Sequence, residues 1–126
     1  MEFTEKNAIY LQIVEYVMDR ILTGGWKREE KIPSVRDLAT LIQVNPNTVM
    51  RAYDHLQQKE IIVNKRGVGT FVAPDAEERI RLFRRESFLN NDLPELFRKM
   101  AMLDIGMMEL EGQYKNYVTS EKYEKK

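Results

Sequence analysis

Apolar side chains recur at helical spacing near the start of the chain. Ile9, Ile13, Val17 and Ile21 fall every fourth position, with Val14 and Met18 beside them. That stripe predicts an amphipathic helix over residues 9–22 that packs into a core. Asn7 stands where it can cap the start, and Gly24-Gly25 ends the pattern. Trp26, just past the stop, is placed to lid the same core. A second entrance follows at Ile32-Pro33-Ser34-Val35-Arg36-Asp37, with Ser34 at the N-cap and Asp37 three residues on. Val35, Leu38, Ala39 and Ile42 give this helix a short apolar face that runs only to about Ile42. Asn45-Pro46-Asn47-Thr48 opens a third helix. Asn45 fits the N-cap and Pro46 the first helical position, where its missing N–H costs nothing. Val49, Ala52, Tyr53 and Leu56 form the buried stripe of that helix.

Two short capped helices about three residues apart predict a helix-turn-helix. In that motif the second helix enters the DNA major groove with its N-terminal turn. Asn45, Asn47, Thr48, Met50 and Arg51 lie off the buried stripe there. Asn bonds adenine in bidentate fashion, Thr reaches bases or phosphates, and Arg holds guanine or phosphate. The free amides of a helix start also suit a phosphate. On spacing alone, an ordinary helical pair with a solvated polar face fits as well. The next segment shifts that balance. Ile61-Ile62-Val63, Lys65-Arg66-Gly67-Val68-Gly69 and Thr70-Phe71-Val72 read as strand, glycine-containing turn and strand. A basic hairpin directly after such a helix is a wing. Gly67 lets the backbone approach a groove, while Lys65 and Arg66 meet phosphates or a narrow minor groove.

Pro74-Asp75 breaks this pattern, and Asp75 is placed to cap a new helix. Ile80 and Phe83, with Leu82 and Phe88, mark an apolar side over 76–89, interleaved with Arg79, Arg81, Arg84 and Arg85. Those arginines read mainly as a solvated face. Asn90-Asn91-Asp92 is expected to break the chain. Leu93-Pro94 then opens a helix carrying Leu96, Phe97, Met100 and Leu103, and Asp104-Ile105-Gly106 turns the chain into a last helix through Met107, Met108, Leu110, Tyr114 and Tyr117. The polar tail 119–126 is expected to fray. Some 45 helical residues do not bury a core alone, because units below ~40–60 residues are marginal. The exposed face needs a partner, and the simplest is the same segment of a second chain. Phe83, Leu96, Phe97, Met100, Leu103 and Met107 are the expected dimer contacts, with methionines as flexible filler.

Charge at first argues against nucleic acid. The 126 residues carry 20 Lys+Arg and 20 Asp+Glu, and residues 1–75 and 76–126 each hold ten of either sign. There is no basic arm and no acidic tail. The composition, 32% charged and 43% hydrophobic, is that of a folding chain. No apolar run approaches the ~20 residues of a membrane span, and no export leader stands at the N-terminus. With no Cys and the single His55, to which no role falls, the chain offers no thiolate metal site, His cluster or triad. No cofactor is implied, no paired carboxylate is identified by its spacing, and an enzyme is not expected.

The motifs together resemble the GntR family of bacterial transcription regulators. The resemblance runs from Ile9-Tyr10-Leu11-Gln12-Ile13 through Pro33-Ser34-Val35-Arg36-Asp37-Leu38-Ala39. It continues through Val44-Asn45-Pro46-Asn47-Thr48-Val49 and Arg51-Ala52-Tyr53 to Gly67-x-Gly69-Thr70-Phe71-Val72. It implies an N-terminal winged helix with a variable C-terminal region. It also implies DNA contacts from Arg36 beside Ser34, from Asn45, Asn47 and Thr48 at the recognition-helix start, and from Gly67 on the wing. Arg51 matches a common family arginine that either holds a phosphate or makes an intradomain salt bridge. The chain departs from the family at Pro46, where many members carry a basic residue, which takes away a candidate contact. It departs again at Glu29, Gln43 and Glu60, where family glycines are absent. Glu60 stands at the negative end of a helix dipole, unfavourable by roughly a few tenths of a kcal/mol. The short helical C-terminal region resembles the YtrA subfamily, in which it serves dimerisation. That likeness implies a cytoplasmic repressor of its own operon with transporter genes.

The expectation is therefore a mainly α fold with a small β-hairpin: a winged helix-turn-helix over 1–73 and a helical dimerisation region over 74–126. The expected partners are double-stranded DNA and a second copy of the chain, with no membrane. No effector pocket is placed. A winged helix that binds another protein is the alternative. From residue 32 to 72 the basic residues Arg36, Arg51, Lys59, Lys65 and Arg66 outnumber Asp37, Asp54 and Glu60 by only two. Zero net charge thus predicts weak non-specific binding per chain and reliance on dimerisation and base contacts.

Overall fold

The computed structural model describes residues 8–120. The expected cap Asn7 and the tail beyond residue 120 lie outside the described residues. The element order is α1 (Ile9–Leu22), β1 (Lys31–Ile32), α2 (Val35–Ile42), α3 (Pro46–Gln58), β2 (Ile62–Lys65), β3 (Gly69–Val72), α4 (Ala76–Ser87), α5 (Leu93–Met102) and α6 (Met107–Thr119). The fold is the expected one, mainly α with a small antiparallel sheet.

The described residues divide into two compact units, with the division between Arg84 and Arg85. In the first, the α1 stripe Ile13, Val14, Val17, Met18 and Ile21 is buried as its spacing requires. It meets Leu38 and Ala39 of α2 and Val49, Ala52, Tyr53 and Leu56 of α3 in one core. Trp26 closes that core, 7% exposed, its ring edge-on to Tyr16 at 6.3 Å. The hairpin pairs Ile62 with Val72 and Lys65 with Gly69.

β1 was not expected from the sequence. It adds to the outer edge of the wing, pairing Lys31 with Phe71 and Ile32 with Thr70, so the sheet order is β1-β3-β2. Two residues carry no readable periodicity, and their partner strand dictates their conformation.

The division expected after Ala73 follows the break at Pro74, but packing continues past it. Ala76 and Ile80 of α4 are buried in the same core as α1 and α3, at 1% and 0% exposure. Arg84 bonds Asp19 at 2.8 Å and Glu15 at 3.3 Å, fastening α4 to α1.

In the second unit the expected break at 90–92 is absent. The backbone stays right-handed helical at Ser87, Asp92 and Leu93, through a π-helical turn Phe88–Asp92 in which the Leu93 amide donates to the Phe88 carbonyl. Pro94 has no amide to continue the ordinary ladder, and the wider turn accommodates that. Asp104, with φ 58°, turns the chain after α5 as expected. Met100 is buried, whereas Leu96, Phe97, Met102, Leu103, Met107, Met108, Tyr114 and Tyr117 are exposed.

Candidate nucleic-acid interface

The two helix starts form as their sequences dictate. The Asp37 amide donates to Ser34 Oγ at 3.1 Å, and the Asn47 amide donates to Asn45 Oδ1 at 2.8 Å. Between them the turn depends on Gln43, which caps α2 in the left-handed region at φ 58°. Glu29 and Glu60 also adopt positive φ, 63° and 59°. The glycine geometry of these turns is therefore kept without glycine. Glu60 also finds a cation, bonding Arg79 at 2.9 Å, which offsets its position beside the negative end of α3.

One long-range bond locks the pair. The buried Tyr53 of α3 donates its hydroxyl to the Pro33 carbonyl at 2.7 Å, immediately before Ser34. Burial, with lesser contributions from Tyr16 and Asp37, pushes the Tyr53 phenol far above its ordinary pKa. It remains a donor throughout the physiological range.

Arg36 lies exposed on the first turn of α2, and Asn47 on the first turn of α3, with Thr48 half-buried beside it. Ser34, Lys65, Arg66 and Gly67 come together on the walls of one open groove of about 840 Å³ between the start of α2 and the wing. Gly67 has φ 76° at the wing tip, a conformation that favours glycine. Lys65 lies over the Phe71 ring at 4.6 Å, which holds its stem along the sheet.

Three expectations change. Asn45 Oδ1 is engaged as a cap, so only its amide group is left to face a ligand. The first turn of α3 has no spare amide: Pro46 has none, Asn47 bonds Asn45 Oδ1, and Thr48 and Val49 bond the Asn45 carbonyl. Recognition there falls to side chains. Arg51 makes an intradomain contact, its guanidinium 4.0 Å from the centre of the Tyr10 ring, as a cation–π pair where an ion pair was the expected form.

Sequence reasoning also missed a cation. Lys31 lines the same groove, and its side chain crosses Gly69, where a Cβ would fall 2.6 Å from Lys31 Cε. β1 puts it there, and without β1 the residue is one lysine among many.

Ion pairing separates the cations. Arg79 pairs with Glu60 and Asp75, Arg81 with Glu77, and Arg84 with Glu15 and Asp19. Asp75, expected to cap α4, bonds Arg79 at 2.8 Å through its side chain. Among the described residues, no acidic side chain pairs with Lys31, Arg36, Lys65 or Arg66. The charge balance therefore hides a division of labour, in which carboxylates neutralise Arg79, Arg81 and Arg84 of α4 while Lys31, Arg36, Lys65 and Arg66 stay open.

Residues 9–72 match the profile of the bacterial regulatory proteins of the gntR family. The chain belongs to the GntR family. Its winged helix is that of a DNA-binding transcriptional regulator, and the family is one of regulators and not of enzymes. The chain is 45% identical over 71 residues to the transcriptional repressor YtrA of Bacillus subtilis (strain 168), covering 56% of this chain and 55% of that protein. It is 38% identical over 76 residues to the regulator YhcF of the same organism, covering 60% and 63%. The chain thus spans less than two thirds of either relative's length. A crystal structure of a GntR-family protein from Bacteroides thetaiotaomicron superposes over 87% of this chain and 96% of that one, with a TM-score of 0.76 and 44% identity. That coverage extends the likeness beyond the winged helix. No helix among the described residues is long and apolar enough to cross a membrane.

Proposed function

We propose that the protein is a cytoplasmic transcriptional repressor that binds an inverted-repeat operator as a homodimer. The observation that carries this reading is a GntR-family winged helix in which the unpaired cations Lys65 and Arg66 share a groove with Ser34, while Arg36 and Asn47 stand exposed on the first turns of α2 and α3. Arg36 and Asn47 contact bases, Ser34, Thr48 and the amide of Asn45 contact bases or phosphate, and Lys65, Arg66 and Gly67 meet the backbone or minor groove. Arg51 acts from its stack on Tyr10 and steadies α3 against α1.

Dimerisation falls to the second unit. Leu96, Phe97, Leu103 and Met107 are exposed there by 36, 46, 69 and 64%, an apolar surface that two-fold pairing covers. Met100, with the same spacing, is only 7% exposed within the single chain. Phe83, grouped with these from its spacing, is otherwise engaged: it packs on the winged-helix core, edge-on to His55 at 6.3 Å and under Lys59 at 4.1 Å. The repressor assignment follows the relative YtrA, and the likeness to that subfamily points to a transporter operon as the target.

The test is retention of an operator selected from random duplexes. Replacing Arg36, Lys65 and Arg66 together by Ala abolishes retention with thermal unfolding unchanged. Retention unchanged in that variant would favour a winged helix that binds protein.

A further inference from the structure

We propose that Met50 is a specificity-determining residue that packs its thioether chain against the C5-methyl groups of thymines in the operator. The inference rests on the DNA-binding reading above.

Met50 is 48% exposed on α3, beside the buried stripe of Val49, Ala52, Tyr53 and Leu56. It lies three residues after Asn47 and so one turn along the same exposed surface. It also lies three residues before Tyr53, on the flank that the Tyr53–Pro33 bond ties to the start of α2. That bond sets the flank against Pro33, the residue immediately before Ser34. Arg51, by contrast, turns to the other side of α3 and stacks on Tyr10. Asp54, four residues further on, is exposed and anionic, so phosphate contact ends near Met50.

The contact surface of α3 therefore presents one amide side chain, Asn47, and one flexible apolar side chain, Met50. The first turn of α3 supplies no free backbone amide, so these side chains do the reading. In the major groove the only apolar feature of a base edge is the thymine methyl. An exposed methionine with three rotatable bonds conforms to such a small protrusion without a hydrogen-bond penalty. Against guanine O6 or cytosine N4 it leaves the base's polar groups without a partner, which disfavours those bases.

The test compares wild type and Met50→Ala on the selected operator, with each thymine replaced in turn by 2′-deoxyuridine, which lacks only the methyl. Wild type is expected to bind about fourfold more weakly when the contacted thymine in one half-site is replaced. Met50→Ala is expected to bind the unmodified operator weakly and to lose nothing further on that replacement. Met50→Leu, which keeps an apolar chain, retains the discrimination. Two results would overturn the proposal: wild type indifferent to every thymine replacement, or Met50→Ala retaining the wild-type penalty. Failure of wild type to bind any duplex would instead remove the DNA-binding reading on which it stands.

Discussion

The Tyr53 hydroxyl reaches across the helix-turn-helix to the Pro33 carbonyl at 2.7 Å, with the rest of its ring buried. This bond couples the recognition helix to the residue immediately before Ser34. Tyr53→Phe is expected to cost about 1–2 kcal/mol, because the ring stays packed while the carbonyl loses its donor. Urea unfolding measures that loss. Operator affinity in the same variant is expected to fall several-fold below wild type at a temperature where both are folded, since Ser34 and Arg36 lose their fixed position.

Three turns of the winged helix, at Glu29, Gln43 and Glu60, adopt the left-handed conformation with side chains that disfavour it. Relieving that strain stabilises the fold, since a left-handed non-glycine residue costs about 1–2 kcal/mol and glycine's added unfolded-state entropy offsets part of the gain. Gln43→Gly is expected to raise stability by about 0.5–1 kcal/mol in a denaturant titration. Glu60→Gly is expected to gain less, because it also removes the Arg79 ion pair.

A boundary at Pro74 would cut through a core. A fragment ending at Pro74 lacks Ala76 and Ile80, and losing a buried Ile costs about 2–5 kcal/mol. A fragment ending at Arg84 is expected to fold cooperatively and sediment as a monomer. The fragment ending at Pro74 is expected to melt at a markedly lower temperature or not to fold. Equal melting temperatures for the two would contradict the placement of α4 in this core.

His55 lies between the rings of Tyr10 at 6.1 Å and Phe83 at 6.3 Å, its Nε2 buried without a hydrogen-bond partner. Burial, and secondarily the charge of Lys59, holds its pKa below the ordinary 6.5. The neutral form is therefore the native one. The unfolded chain takes up the proton first as pH falls below about 6.5, so stability is full above that pH and declines below it. Melting temperatures between pH 7.5 and 5.5 are expected to fall, and His55→Phe to flatten the part of that slope due to this residue.

Local chemistry was the legible part. The caps at Ser34 and Asn45, the α1 stripe and the glycine of the wing act over a few residues, and the structure repeats them. What depends on distant partners was not legible. β1 exists because β3 offers it an edge, and Lys31 joins the groove only through β1. Phe83 has the same helical spacing as a dimer contact, yet His55 and Lys59 cover it. The Asn90-Asn91-Asp92 run looks like a break, but the wider helical turn absorbs both it and Pro94. Which arginines stay open was also unreadable, since Arg79 and Arg84 find their acids 19 and 65 residues away.

In the proposed complex, a dimer with few but unpaired cations holds DNA through its two winged helices. A fluorescence-anisotropy titration of the selected operator duplex over a range of salt concentrations tests it most directly. Each chain offers about three phosphate contacts, so saturation is expected at two chains per duplex, with a log–log salt slope of about −5. The half-sites should be centred one helical turn apart, ~34–36 Å. Saturation at one chain per duplex, or an affinity that does not change with salt, would contradict it.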